Sequence, residues 1–226
     1  MYPEKQKISL TVDAVVFTVM NDDLKILLVK RKYDPYKQMY ALPGGFVHND
    51  EELDAAAGRE LFEETNVKGI FLKKLTAYGD VKRDPRGRIV SVVYLALIDS
   101  VTVKLEAKTD AEIASWFSVY SLPKLAFDHE TIIKDALRDL RYEIQVSNIA
   151  YQLLPKMFTL TELQKAYEVI LDKRLDKRNF RKRLFALNLV EPSDEYRNDG
   201  AHRPAQLFTF RENRYSFIKD KVNVFI

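Results

Sequence analysis

Three carboxylates fall at Glu60, Glu63 and Glu64, and their spacing decides what they could do. At about 100° per residue, positions i, i+3 and i+4 share one face of a helix. Like charges crowded on one face repel unless a cation neutralises them. Carboxylate oxygens on a rigid element are what Mg²⁺ or Mn²⁺ prefers, with water or a substrate phosphate filling the remaining positions. Arg59 stands beside them as an internal counterion, and Gly44-Gly45 upstream lets the backbone approach a ligand closely. A second group, Arg83, Arg86 and Arg88, surrounds Asp84-Pro85-Arg86-Gly87; guanidinium forks of this kind suit bidentate phosphate binding. A third lies in residues 172–184, where seven of thirteen side chains are Lys or Arg. On a helical wheel Phe180, Leu184 and Leu187 form one stripe, while Arg178, Arg181 and Lys182 project to the other side. Lys and Arg neutralise phosphates, and Arg and Asn also read base edges, so Lys177, Arg178, Asn179, Arg181 and Lys182 are candidate DNA contacts. Arg197, His202 and Arg203 follow in a polar loop that would lie over a nucleic-acid backbone.

The elements that must carry these groups differ between the two parts of the chain. Residues 8–20 and 24–32 are β-branched and aliphatic runs about Asn21-Asp22-Asp23, a turn composition. Residues 51–65 read as a helix with Asp50 as its N-cap. Strands are expected at 70–81, 89–99 and 113–117, with Trp116-Phe117 in the core, and a helix at 129–142. Strands with helices laid on them imply an α+β or α/β sandwich over residues 1–142. From 143 to 226 the texture changes: helices at 144–154, 160–171 and 177–187, the second opened by a capping box at Thr159-Leu160-Thr161-Glu162, then two strands near 189–191 and 207–210. Three short helices and a hairpin are the order of a winged helix-turn-helix.

Gly45, Glu51, Arg59, Glu60, Leu61, Glu63, Glu64 and Val67, with Leu42-Pro43-Gly44-Gly45 before them, resemble the Nudix box. The resemblance implies a mixed sheet sandwiched by helices that binds nucleoside diphosphates linked to another moiety. It also implies Glu60, Glu63 and Glu64 as metal ligands, Arg59 as the residue orienting them and Glu51 as support for the loop. Asn66 stands where the family has glycine; asparagine is the next best residue for a left-handed helix terminus. The segment Arg83-Asp84-Pro85-Arg86-Gly87-Arg88 and the run Leu125-Ala126-Phe127-Asp128-His129 are similar to those of Nudix proteins handling ADP-ribose-like ligands. His129 reads there as a helix-start residue. Phe158-Thr159-Leu160, Leu175-Asp176, Asn179-Phe180-Arg181 and Arg203-Pro204-Ala205 resemble the C-terminal domain of NrtR-type regulators, bacterial transcription factors that join a Nudix-like sensor to a winged helix.

The 226 residues carry a net charge of +3, but residues 1–142 hold 21 basic against 22 acidic side chains and residues 143–226 hold 15 against 11. The surplus of positive charge therefore lies in the last third, where a phosphate backbone would use it. Absent cysteine excludes a disulfide framework and thiolate-bound zinc. No run approaches the ~18 apolar residues of a membrane helix, and no basic leader precedes an apolar segment, so a soluble cytoplasmic protein without a membrane partner is expected. Two functions are implied. One is a homodimeric transcriptional regulator of NAD or sugar metabolism, its operator binding altered by an effector such as ADP-ribose or arabinose held near Gly44, Gly45, Arg83, Arg86 and Arg88. The other is a Mg²⁺- or Mn²⁺-dependent hydrolase of ADP-ribose or a related nucleoside diphosphate derivative. The outward basic helix favours the regulator, since a hydrolase has no need of it.

Overall fold

A long apolar run that is buried almost throughout opens the fold: β1 (Ser9–Met20) has both of its faces covered from Thr11 to Thr18. Asn21 and Asp22, both with positive φ (52° and 62°), turn the chain into β2 (Asp23–Arg31). Two such residues supply the twist that suits a two-residue hairpin turn. The computed structural model describes residues 7–99, 105, 111–198 and 204–218. Beyond β2 come two short strands the hydropathy pattern did not announce, β3 (Tyr40–Ala41) and β4 (Gly44–Phe46). Then follow α1 (Leu53–Thr65), β5 (Lys73–Tyr78), β6 (Ile89–Leu97), β7 (Ala111–Ser118) and α2 (His129–Val146). The sheet runs β3-β2-β1-β6-β5, with β4 paired to β1 and β7 to β2. Trp116 and Phe117, expected in the core, are only partly buried on β7, where Phe117 meets Tyr40 edge-on at 4.7 Å.

α1 is anchored by its small apolar face: Ala56 and Ala57 pack with Val12 and Tyr94. Its N-cap is Glu52 rather than Asp50, and no side-chain hydrogen bond caps it. At its far end Asn66 takes φ 63° and returns its N–H to Phe62 O, the left-handed terminus its side chain tolerates. α2 buries Ile132, Ile133, Ala136, Leu140 and Ile144, a stripe at helical spacing.

The described chain forms two compact units, residues 7–17, 25–96, 105 and 111–137, and residues 18–24, 97–99, 138–198 and 204–218. In the second unit the chain continues past α2 as a 3₁₀ turn (Ile149–Gln152), α3 (Leu160–Leu171), α4 (Lys177–Ala186) and the hairpin β8 (Val190–Arg197) with β9 (Ala205–Phe210). The expected helix over 144–154 is therefore divided. Ser147 Oγ bonds back to Glu143 O, and Asn148 gives its side chain to Arg214 O and Ser216 N, which ends α2 at Val146. The capping box is present: Thr159 Oγ1 accepts from Glu162 N, and Glu162 Oε2 accepts from Thr159 N at 2.7 Å. Tyr167 of α3 and Phe180 of α4 meet edge-on at 5.2 Å, and Phe158 lies 4.6 Å from Phe210 of β9, so two helices and a hairpin share one small core. Among the described residues no helix is long and apolar enough to cross a membrane.

Candidate functional site

The first unit encloses a cavity of about 540 Å³. Its acidic wall is the exposed side of α1. The pairing of Val12 with Gly45 sets β4 directly against that helix, and a Cβ at Gly45 would lie 2.5 Å from Glu60 Oε1. At Gly44 the same atom would lie 2.2 Å from Val12 O. Backbone contact thus requires glycine at position 44, whereas a side chain at position 45 would have to displace the Glu60 carboxylate. Arg59 grips the surroundings with its whole fork: Nε and Nη2 donate to Glu51 at 2.9 and 2.5 Å, Nη1 to Glu60 at 2.8 Å, and Nη2 also to Phe46 O at 3.1 Å. Glu51, which stands outside the cavity lining, also accepts His48 N–H. The Arg59 hydrogen bond and that N–H hold the Glu51 carboxyl at about 2, whereas burial pushes Glu60 above its ordinary value. Glu63 reaches Arg59 at 3.4 Å, and Glu64 Oε2 accepts the Gly44 N–H at 2.9 Å.

The donor chemistry of these carboxylates suits a hard divalent cation, but their placement does not make a ligand set. Glu60 and Glu63 are drawn to Arg59 and Glu64 to the backbone. Among the described residues no three His, Cys, Asp or Glu side chains are arranged to hold a metal ion. The residues as placed do not fit a bound metal.

The opposite wall is basic and aromatic. Arg83 is buried and forks onto Asp128 at 2.9 and 2.8 Å, a pairing that raises its pKa against the opposing effect of burial. Arg86 forks onto Asp84, with Nη2 at 2.6 Å, and lies over Phe46 at 5.0 Å and Phe127 at 5.4 Å. Asp84 is held below the usual carboxylate value by Arg86, although burial acts the other way. Arg88, grouped with them by sequence, points elsewhere: it donates to Gly79 O and does not line the cavity. The turn in which Gly87 N–H returns to Asp84 O lies between Arg86 and Arg88 and separates the two side chains. Three lining residues were not foreseen as ligand contacts. Arg31 closes β2, Asp13 receives Ser91 Oγ and faces Arg83 at 3.8 Å, and His129 accepts Leu42 N–H on Nδ1 at 2.9 Å. Asp13 did leave a signal, a charge in the middle of an otherwise apolar strand.

In the second unit α4 buries Phe180 and Leu184 and turns Lys177, Arg178, Asn179 and Lys182 to solvent. Arg181 is half-buried, its Nε without a hydrogen-bond partner. Asp176 caps the helix by accepting Asn179 N–H at 2.8 Å. A cavity of about 260 Å³ lies at that end, lined by Lys173, Arg174, Asn179 and Arg183 among others. Arg197, expected to face a nucleic acid, instead pairs with Glu162 at 2.6 Å and reaches Met157 O, tying the hairpin to the start of α3. His202 and Arg203 lie outside the described residues.

Comparison with known proteins accounts for both units. Residues 10–140 match the NUDIX domain, and residues 150–210 match the NrtR DNA-binding winged helix domain. A curated relative, the "ADPR responsive transcriptional repressor NtrR" of Acinetobacter baylyi, is 38% identical over 212 residues, covering 92% of this chain and 84% of its own. The chain belongs to the NrtR family of Nudix-fold transcriptional regulators. The crystal structure of Shewanella oneidensis NrtR complexed with a 27mer DNA is 33% identical, with a TM-score of 0.78 over 89% of this chain and 93% of that one. The NUDIX domain of the same protein, complexed with ADP ribose, is 34% identical, with a TM-score of 0.57 over 62% of this chain and 94% of that one. An NrtR-family assignment explains why the basic helix α4 and the box residues of α1 occur in one chain. It also bears out the α+β architecture with a winged helix after a Nudix fold.

Proposed function

We propose that this NrtR-family chain is an ADP-ribose-responsive repressor, its Nudix cavity taking the effector and its winged helix taking operator DNA. In this reading residues 1–142 serve as the effector part and 143–226 as the DNA-binding part, while the two compact units part at 137/138, within α2. The observation that carries the reading is the guanidinium content of the cavity: Arg31, Arg83 and Arg86 line it together with the aromatic ring of Phe127. Guanidinium groups gathered on one wall suit the charge of a pyrophosphate, which a neutral pentose such as arabinose does not carry. ADP-ribose also brings a purine whose face suits aromatic and guanidinium surfaces. On the DNA side, Lys177, Arg178, Asn179 and Lys182 form the outward face of α4, with Arg181 at its margin. A homodimer would present two such helices to half-sites about 34 Å apart, as a palindromic operator requires. Hydrolysis, with a Mg²⁺ or Mn²⁺ requirement, is the alternative reading of Glu60, Glu63 and Glu64.

The test is fluorescence anisotropy of labelled promoter DNA with the full chain. ADP-ribose should release the DNA while arabinose leaves it bound. Release by arabinose alone would transfer the effector role to a sugar, and indifference to both would overturn the sensor reading.

A further inference from the structure

The outward face of α4 is not uniform. Its first part carries Lys177, Arg178, Asn179 and Lys182, but it ends in Phe185, which is 48% exposed, beside the exposed Ala186. Phe180, on the inner face of the same helix, keeps only 3%. Arg178, Lys182 and Phe185 stand at i, i+4 and i+7 and so share one stripe, on the side away from Phe180 and Leu184. A single exposed aromatic is ordinary on a protein surface. This one continues the stripe whose cations the operator reading sets against DNA, and it is supported from behind. Its ring lies 6.0 Å from that of Phe208, tilted by 52°. Phe208 is itself buried and exchanges two backbone hydrogen bonds with Phe158, at 3.0 and 2.8 Å. Phe185 therefore leans on a rigid base while about half of its surface stays open to solvent.

We infer that Phe185 reads sequence, its exposed ring taking the C5-methyl group of a thymine in the major groove of the operator. This rests on the operator-binding reading above and deepens it. The Lys and Arg side chains of the stripe attract phosphates, which is indifferent to sequence. The thymine methyl is the apolar group that base pairs display in the major groove, and phenylalanine is among the side chains that contact it. Cytosine has only hydrogen at that position, so the contact separates A·T from G·C pairs. At 1.5 Å per residue Phe185 stands about 10 Å along the helix from Arg178, or about three base-pair steps of 3.4 Å. A helix lying along the groove thus brings the ring to a different base pair from the one Arg178 meets. A ring already seated on Phe208 loses little freedom on binding.

Fluorescence anisotropy with the full chain tests it, on labelled promoter DNA and on the same fragment with every thymine replaced by uracil. Uracil lacks the methyl group and keeps the Watson–Crick edge. Wild type should bind the uracil fragment roughly 4-fold more weakly for each methyl contacted, the worth of one such group buried. Phe185→Ala should bind both fragments equally and no more tightly than wild type binds uracil DNA. The exposed Lys134→Ala of α2 should discriminate as wild type does. Should Phe185→Ala fail to fold, Phe185→Gln, which keeps a long side chain over Phe208, takes its place with the same expectation. Replacing thymines one at a time should confine the loss to a single position in each half-site. A wild type that binds both fragments equally would overturn the assignment and leave the operator reading standing. So would a folded Phe185 variant that still discriminates, or a loss spread evenly over all thymines. If wild type binds neither fragment, the operator reading fails and the assignment falls with it.

Discussion

His129 is fixed through both ring nitrogens. Nδ1 accepts the Leu42 N–H, so it carries no proton, and Nε2 faces Asp13 Oδ1 at 3.7 Å. Burial lowers its pKa below the ordinary 6.5, against the pull of Asp13 and Asp128. Protonation at Nδ1 would set two N–H groups against each other. In the window between the depressed folded value and 6.5 the unfolded chain holds the extra proton. Stability is therefore fully present above 6.5 and falls as the pH drops below it. Melting temperatures of wild type and His129→Asn from pH 7.5 down to 5 should diverge, with the variant less sensitive because its amide oxygen accepts from Leu42 without titrating. Parallel curves would show that another group governs that range. Glu51 works the opposite end: its folded value near 2 contributes stability above 4.5 that is lost only as pH falls towards 2. At this scale the carboxylates of α1 were legible because their spacing is local. Arg31 and Asp13 were not, since their role arises from strands brought together: Asp13 meets Ser91 78 residues away, and His129 meets Leu42 87 residues away.

Helix α4 is where one element divides between packing and function. Phe180 packs on Tyr167, and cutting it to alanine should cost about 3–5 kcal/mol of stability in a denaturant titration. Arg178 and Lys182 are exposed, so replacing both with alanine should leave that titration unchanged. It should lower operator affinity and reduce the slope of log K against log salt by about 2, near 0.9 for each phosphate contact. Arg197→Ala should behave differently from both. Its pair with Glu162 is partly exposed, 33% and 39%, so its loss costs at most about 1 kcal/mol and leaves the salt slope alone. A reduced slope in Arg197→Ala would return that residue to the DNA-facing set. Element existence was legible from periodicity: α1, α3, α4, β1, β2 and β6 all follow their hydrophobic patterns. The end of α2 was not, because Asn148 is engaged by residues 64 to 68 positions away, and no local pattern encodes that. The short strands β3 and β4 were hidden for a related reason; they exist through pairing with β2 and β1 and not through their own composition.

On the scale of the whole molecule, α2 is the helix that contributes residues to both units. α2 begins with His129 in the lining of the effector cavity and contributes residues 129–137 to the first unit and 138–146 to the second. In its second part Glu143 accepts Tyr215 Oη at 2.8 Å, and Arg141 donates to Ile170 O of α3 at 3.0 Å. Coupling of two sites has a consequence that does not depend on the route. If ADP-ribose weakens operator binding by some factor, the operator must weaken ADP-ribose binding by the same factor, typically 5- to 150-fold. The measurement is a pair of titrations on the full chain: operator at zero and saturating ADP-ribose, and ADP-ribose at zero and saturating operator. Equal factors mark the chain as a binding switch at equilibrium. Unequal factors mean that ADP-ribose is being consumed, because a turnover cycle is not bound by reciprocity, and the hydrolase would then be active.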